Sequence, residues 1–354
     1  GLTAFVCLVL LFLFTAKLTI DHPDFNQPWD HHKYIAMAEQ PFDFHLAPFC
    51  WRVLVPLLAW MLPLNTVSSF MVLSFAGLWG TAVFLYLLLR RAGFSGALSY
   101  GGMVLFLSMG WAARYNIHDF WLVDPVALMF ITACLWSLLA RKNILFAFLL
   151  TAGVTAKESV IFVAPLYYTL NAERLFDRKK LLHLIIIVLP AVTVLILLRM
   201  LIVQGNGDPQ YAASLDPRLL NGLDERPYVF YRLFNDIVQF RMRELVSQPA
   251  LFLSSATIGT FGILPVFLFI LALRKHSRCF LKFLPFVLLV FCAVFFAVNT
   301  ERVMITFFPA VILFTLHAVR DFAERSGGDE KMFTITAFIL FALLFVRDNW
   351  LVIP

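Results

Sequence analysis

The sequence predicts an all-α fold: a polytopic transmembrane helical bundle of roughly eleven spans, with juxtamembrane helices on the extracytoplasmic face. Three observations carry that expectation. Hydrophobic residues make up 61% of the chain and charged residues only 14%, where a soluble domain has roughly 45–50% and about 25%. The apolar residues gather in runs close to the ~20 residues a spanning helix needs. The basic residues fall in short clusters between alternate runs, which is the pattern of cytoplasmic loops. The net charge of +6, distributed in this way, reads as a topology signal, and no nucleic-acid partner is expected.

Taken in order, spans are expected near 2–20, 66–89, 95–113, 122–140, 143–157, 159–171, 181–203, 250–273, 280–298, 303–320 and 331–347. Together they form a single transmembrane domain, 1–354, that includes extracytoplasmic segments 21–65 and 204–249. The first run, GLTAFVCLVLLFLFTAKL, has no clear small-residue cleavage site, so a retained span is expected rather than a signal peptide. In segment 21–65, Asp30 opens a short helix with the sequence HHKYIAMAEQ. The following CWRVLVPLLAWML is too short to span and is interrupted by Pro56, so it is expected to lie in the headgroup plane, with Trp51 and Trp60 at that depth. The runs either side of Lys157-Glu158 are short and read either as two spans or as one broken element. Segment 204–249 opens on the turn cluster QGNGDPQ.

Counting spans in this way puts Arg90-Arg91, Arg141-Lys142, Arg174 with Arg178-Lys179-Lys180, Arg274-Lys275 with Arg278, and Arg320 with Arg325 all on one side. The positive-inside rule makes that side cytoplasmic. The five cysteines form no C-x-x-C pair, so neither a disulfide framework nor a zinc site is indicated. The sequence contains no G-x-x-x-x-G-K-[ST], no strand-borne G-x-G-x-x-G and no H-E-x-x-H. An enzyme working at the outer face of such a chain needs a substrate activated and carried in the lipid.

The informative residues are ionisable ones close to apolar runs, because a charge in the bilayer core costs about 2.5–3.5 kcal/mol. Asp30, Arg52, Asp119, Asp124, Lys157, Glu158, Arg199, Glu301 and Arg302 come from separate parts of the chain, yet all are expected at the outer membrane surface. A shared outward-facing cavity accounts for that depth. Each has a plainer reading beside the functional one. Asp30 and Asp124 stand where helix N-caps are expected, Arg52 and Arg199 suit headgroup anchors, and Lys157 and Glu158 can pair with each other. Asp119 has no such structural reading. A carboxylate here can take a proton from an acceptor, and a guanidinium matches phosphate oxygens two at a time. His31, His32 and His118, with Asp30 or Asp119, supply ligand types for a divalent cation. Adjacent histidines on a helix point in different directions, however, so His31 and His32 are not expected to hold one ion.

Three features together resemble the GT-C class of membrane glycosyltransferases, which includes the protein O-mannosyltransferases and the aminoarabinose transferases. They are a first span, an Asp opening a juxtamembrane helix (Asp30-His-His-Lys-Tyr-Ile-Ala-Met-Ala), and an Arg in a proline-containing interfacial helix (Arg52-Val-Leu-Val-Pro-Leu-Leu). Lys157-Glu158 before a proline-containing span, and Glu301-Arg302 followed by Pro309, also look like bacterial relatives. The resemblance implies a polyprenyl-phosphate-linked sugar as donor, a glycan, lipid or protein acceptor, inversion at the anomeric carbon, and a location in the inner (plasma) membrane with an extracytoplasmic active site. It implies Asp30 as catalytic base or acceptor-binding group, with Asp119 as the next carboxylate. Arg52, Lys157, Glu158, Arg199, Glu301 and Arg302 are the substrate-binding candidates, and acceptor recognition falls to 204–249. Two other classes fit less of the pattern. A lipid-linked-oligosaccharide polymerase or ligase would use Arg218, Arg226, Arg232, Arg241 and Arg243, and a transporter or flippase would show an internal repeat and midplane charges.

Overall fold

The computed structural model describes residues 1–326 apart from 16, 28, 173, 175, 206–207, 220–229 and 298, together with 332, 335, 336 and 339; for 212 and 230–234 it describes the backbone alone. The expected span 331–347, apart from those four positions, and Arg226 therefore lie outside the described residues, as does the side chain of Arg232.

Among the described residues every regular element is helical. Helix α1 is Leu2–Phe14, followed outside the bundle by α2 (Asp30–Glu39) and α3 (Leu54–Met61). The bundle continues with α4 (Thr66–Arg91), α5 (Gly96–Ser108), the single turn α6 (Tyr115–His118), α7 (Asp124–Leu139), α8 (Asn143–Ala156), α9 (Ala164–Asn171) and α10 (Arg178–Leu201). A peripheral stretch holds α11 (Pro209–Ser214), α12 (Phe230–Ser247) and α13 (Pro249–Ser254), and the chain returns through α14 (Ile263–Val294), α15 (Thr300–Met304) and α16 (Phe308–Ser326).

Five of the described helical stretches are long and apolar enough to cross a membrane: Leu2–Asp21, Thr66–Arg91, Arg178–Leu201, Ile263–Val294 and Thr300–Arg325. The bent pair Gly96–Ser108 and Gly110–His118 makes a sixth if taken as one, and Asp124–Leu139, Asn143–Ala156 and Pro249–Gly259 are shorter apolar helices beside them. Local sequence sets several boundaries. The Asn65 side chain accepts from the Ser68 N–H at 2.8 Å to start α4, and Arg90 and Arg91 end it, where cations suit the helix dipole. Asp177 caps α10 through the Lys180 N–H at 3.1 Å. Helix α10 carries a long apolar stretch, and Ile185, Ile186, Leu189 and Ile196 on it stay exposed. Such a face is compatible with a bilayer.

In two places the packing decides what the sequence leaves open. Phe146 on α8 and Tyr167 on α9 stack with ring centroids 6.1 Å apart. The arms either side of Lys157-Glu158 therefore fold back on each other, because a continuous element would separate these rings by about 30 Å. The long helix α14 also doubles back, at His276 (φ −108°, ψ 25°). Phe269 before the bend and Phe280 after it meet edge to face at 5.7 Å, where straight helix would hold them about 16 Å apart. The expected basic turn between 250–273 and 280–298 is thus a tight corner at His276, where the backbone leaves helical φ/ψ. One expectation is corrected. The run 95–113 does not continue as a straight span: the chain turns by 63° after Ser108. Met109 is extended there, and Asn116 satisfies the freed backbone by donating to the Trp111 and Ala112 carbonyls at 3.2 and 2.7 Å.

Helices α4 and α7 are packed against each other backbone to backbone. A Cβ on Gly77 would stand 2.6 Å from the Pro125 carbonyl carbon and 2.8 Å from the Val126 nitrogen, so only glycine allows this approach.

The helices arrange the loops into two ends. At one, Arg91 donates to the Leu139 carbonyl (3.1 Å), the Arg320 guanidinium lies 5.1 Å from the Phe94 ring, and Lys275 meets Asp321 at 2.8 Å. Basic clusters far apart in sequence therefore share a face. The other end carries α2, α3, the turn before Asp124, Lys157-Glu158 and α15.

Candidate functional site: a closed ring of buried charges

Helix α2 begins at Asp30 without using its side chain as a cap; Trp29 holds the cap position and makes no side-chain bond. The Asp30 carboxylate instead takes a 2.6 Å hydrogen bond from Arg302 Nη1, 272 residues away in sequence. Asp124 likewise starts α7 without capping it. Its Oδ2 accepts from Arg302 Nε at 3.1 Å and Nη2 at 2.8 Å, and its Oδ1 from Lys157 Nζ at 2.5 Å. The capping readings of Asp30 and Asp124 are thus overturned, because both carboxylates are committed to cations. Asn299 fixes Arg302 from behind by accepting from its backbone N–H at 2.8 Å.

A second set lies beside the first, joined to it through the chain at Lys157-Glu158 and along α2. Arg52 leaves the turn Phe49–Trp51 and grips both oxygens of Glu158, with Nε at 3.0 Å and Nη2 at 2.7 Å. Its Nη1 donates to the Tyr34 hydroxyl at 2.9 Å. Tyr34 lies one turn after Asp30 on α2, so the two share a helix face. Lys157 and Glu158 do not pair with each other, although their adjacency in sequence allows it; each reaches a different neighbour. Arg302, Lys157 and Arg52 side chains are 15%, 13% and 13% exposed. Lys33, 1% exposed, adds a further cation with its ammonium 5.2 Å from the Phe49 ring.

Asp119 stands apart. It follows α6, and its Oδ1 lies 3.4 Å from Thr19 Oγ1, which also bonds the His118 carbonyl at 2.5 Å. Among the described residues no cation comes within ion-pair distance of it. Burial pushes its carboxyl up; Arg302 acts in the other direction, but the Asp30 and Asp124 carboxylates add to the rise, and the group comes to about 7. Asp30 shows the reverse balance. Burial raises it, yet the adjacent Arg302, with Lys33 and Arg52, more than offsets that and holds it below the usual carboxylate range. Burial takes the Tyr34 phenol to about 12, so it acts here as a neutral hydroxyl.

Seven of the nine residues singled out from the sequence meet at this end: Asp30, Arg52, Asp119, Asp124, Lys157, Glu158 and Arg302. The other two do not join the ring. Glu301 turns away to accept from the Ser255 hydroxyl. Arg199 is exposed, stacked 4.9 Å over the Trp51 ring and bonded to its own helix at Leu195. The expectation that His31 and His32 diverge is also corrected. Both bring Nε2 to the Phe25 carbonyl, at 3.0 and 2.7 Å, because the loop before α2 folds back over them. Their ring nitrogens are donors to that oxygen, and no group of three or more His, Cys, Asp or Glu converges as metal ligands among the described residues. In segment 204–249, Arg218 pairs with Asp216 at 2.6 Å, and Arg241 with Glu244 at 2.5 Å and the Ala297 carbonyl at 2.9 Å, so local partners occupy these two arginines. The sequence reading missed Tyr34, Lys33 and Thr19. Tyr34 had a signal, its i+4 spacing from Asp30 on a helix that was expected; Thr19 had none.

Chemically, the ring offers three things: guanidinium and ammonium groups able to hold an oxyanion, a carboxylate that changes its proton near neutral pH, and partial exclusion of water. Comparison of the chain with protein-family models, with curated proteins and with solved structures found no match.

Proposed function

We propose that this chain is an integral-membrane glycosyltransferase of the GT-C class, crossing the inner (plasma) membrane roughly eleven times. It moves a sugar from a polyprenyl-phosphate donor to a glycan, lipid or protein acceptor at the extracytoplasmic face. The observation that carries the reading is the ring itself. Arg302, Lys157 and Arg52 are brought from separate helices to one buried place, at the end opposite the basic loops.

The residues divide the work by charge. Transfer with inversion forms a bond from the acceptor atom to the anomeric carbon while the bond to the phosphate oxygen breaks. The electron pair leaves with the phosphate, and fixed cations stabilise it in a site with little water. Arg52 now holds a carboxylate with a two-pronged grip, the geometry that also fits a phosphate. Exchanging Glu158 for a phosphate replaces one anion in the grip of Arg52, itself 13% exposed, by another. Asp30 and Asp119 are the carboxylates available to the acceptor. The lipid tail enters sideways between helices.

The test is turnover by the purified protein in detergent with a panel of polyprenyl-phosphate sugars. At least one is expected to react, and Arg52→Lys should weaken donor binding, by about 1.5–3 kcal/mol, because a point charge loses the paired hydrogen bonds. A chain that turns over none of the panel, and binds polyprenyl phosphate no better than its Arg52→Lys form, is not this enzyme.

A further inference from the structure

The ring contains carboxylates in two situations, and the difference assigns them different tasks. Asp30, Asp124 and Glu158 each sit within 2.5–2.8 Å of a cationic nitrogen. A carboxylate held this way is a poor proton acceptor, because gaining a proton breaks the pair. Among the described residues the Asp119 side chain has only Thr19 Oγ1 within hydrogen-bond reach, at 3.4 Å, and it feels the charges of Arg302, Asp30 and Asp124. The groups acting on it come from every neighbouring element: Arg302 on α15, Asp30 on α2, Asp124 on α7, Tyr115 on α6 and Thr19 after α1. Two of these are carboxylates that favour its protonated form, and the one cation among them is already shared between Asp30 and Asp124.

We propose that Asp119 is the proton acceptor of the transfer reaction and that Asp30 is a positioning residue, which holds Arg302 in place for the leaving phosphate. The proposal rests on the transferase reading. As the acceptor O–H or N–H attacks the anomeric carbon, its proton passes to the Asp119 carboxylate and the electron pair of the breaking C–O bond goes to the lipid phosphate. Water, or the released phosphate, removes the proton before the next turnover. A carboxyl that titrates near neutrality suits this step, since a base works best when its pKa lies near the working pH. The GT-C resemblance points to Asp30 for this role; the geometry reassigns it.

The experiment uses the full chain in detergent, with a polyprenyl-phosphate sugar that the panel shows to be turned over, and the variants Asp119→Asn, Asp119→Glu and Asp30→Asn. Wild-type turnover is expected to fall as pH drops below about 7. Asp119→Asn should lose roughly 10²–10⁴-fold in rate and the acidic limb with it, at unchanged donor affinity. Asp119→Glu should keep the limb at reduced rate, which separates lost chemistry from lost folding. Asp30→Asn should weaken donor binding and keep the limb, moved to lower pH because one of the carboxylates that raise Asp119 is gone. An Asp119→Asn protein with near-normal turnover, or with the acidic limb intact, overturns the proposal, as does an Asp30→Asn protein from which the limb has gone. Infrared difference spectra between pH 5 and pH 9 give a readout that needs no turnover: a protonated-carboxyl band titrating near neutrality in wild type and missing in Asp119→Asn. If that band is present but no lipid-linked sugar reacts, the transferase reading has failed and the titration stands; if it is absent while sugar is transferred, only the assignment of Asp119 has failed.

Discussion

At one end of the bundle Arg302 bonds Asp30, 272 residues away, and Asp124, 178 residues away, and their side chains are 15%, 34% and 5% exposed. At the other end Lys275 reaches Asp321 over 46 residues with its own side chain 52% exposed, and Arg320 approaches its i+4 neighbour Glu324 at 3.9 Å. The residue types are the same and the surroundings are not. Where water still reaches the charges, solvent screens the pairs and neither partner depends on the other. Where water is excluded, each charge needs its partner, and the partners bind α2, α7, the Lys157-Glu158 turn and α15 into one unit. A ring of this kind is costly to assemble and is weak evidence for stability. Its presence calls for a chemical reason, and the phosphate binding proposed above is one.

The sharpest way to break this contrast is Arg302→Ala. It leaves Asp30 and Asp124 buried with one cation removed, and should cost about 3–5 kcal/mol, read as a large drop in the detergent melting temperature together with loss of turnover. A cost no greater than that of a surface change would make the two ends equivalent. A smaller effect of opposite sign is expected at Asp119. Its folded-state carboxyl is raised to about 7, so between the unfolded value of about 4 and about 7 the folded form binds more protons, and stability falls as pH rises through that window. Asp119→Asn fixes the neutral form and should stabilise the protein at pH 8 by about 1 kcal/mol or more, with little gain at pH 4. Melting curves at both pH values measure the difference, and equal shifts at the two would refute the titration. The smallest effect is expected at the basic end, where Lys275→Ala should change stability by less than about 1 kcal/mol and leave turnover untouched. A large loss there would show that end to be more than a topology signal.

Much of this contrast is legible in the amino-acid sequence alone. The apolar runs anticipate the positions of most helices, and the isolated charges beside them anticipate the ring, because a charge without solvent must have a partner. Which partner is not legible. Lys157 next to Glu158, or Asp30 at a helix start, looks self-sufficient in one dimension; only the reach of the Arg302 side chain from α15 to α2 and α7 shows that it claims Asp30 and Asp124. The turn at His276 is marked by its basic cluster, but the bend after Ser108 is hidden: no proline stands at the break, and Asn116 bonds the backbone just beyond it. Arg199 and Glu301 are singled out by depth alone, and depth does not say which way a side chain faces.

Gly77 sets the spacing on which Asp124 depends. It touches no charged group, yet the backbone of α7 rests directly on it at Pro125, the residue after Asp124. The carboxylate that joins Arg302 to Lys157 therefore takes its coordinates from main-chain contact, which has no rotamers to adjust. Added bulk at Gly77 would be transmitted as a rigid displacement of the whole start of α7, and the site would lose its alignment from behind while every one of its own side chains remained intact.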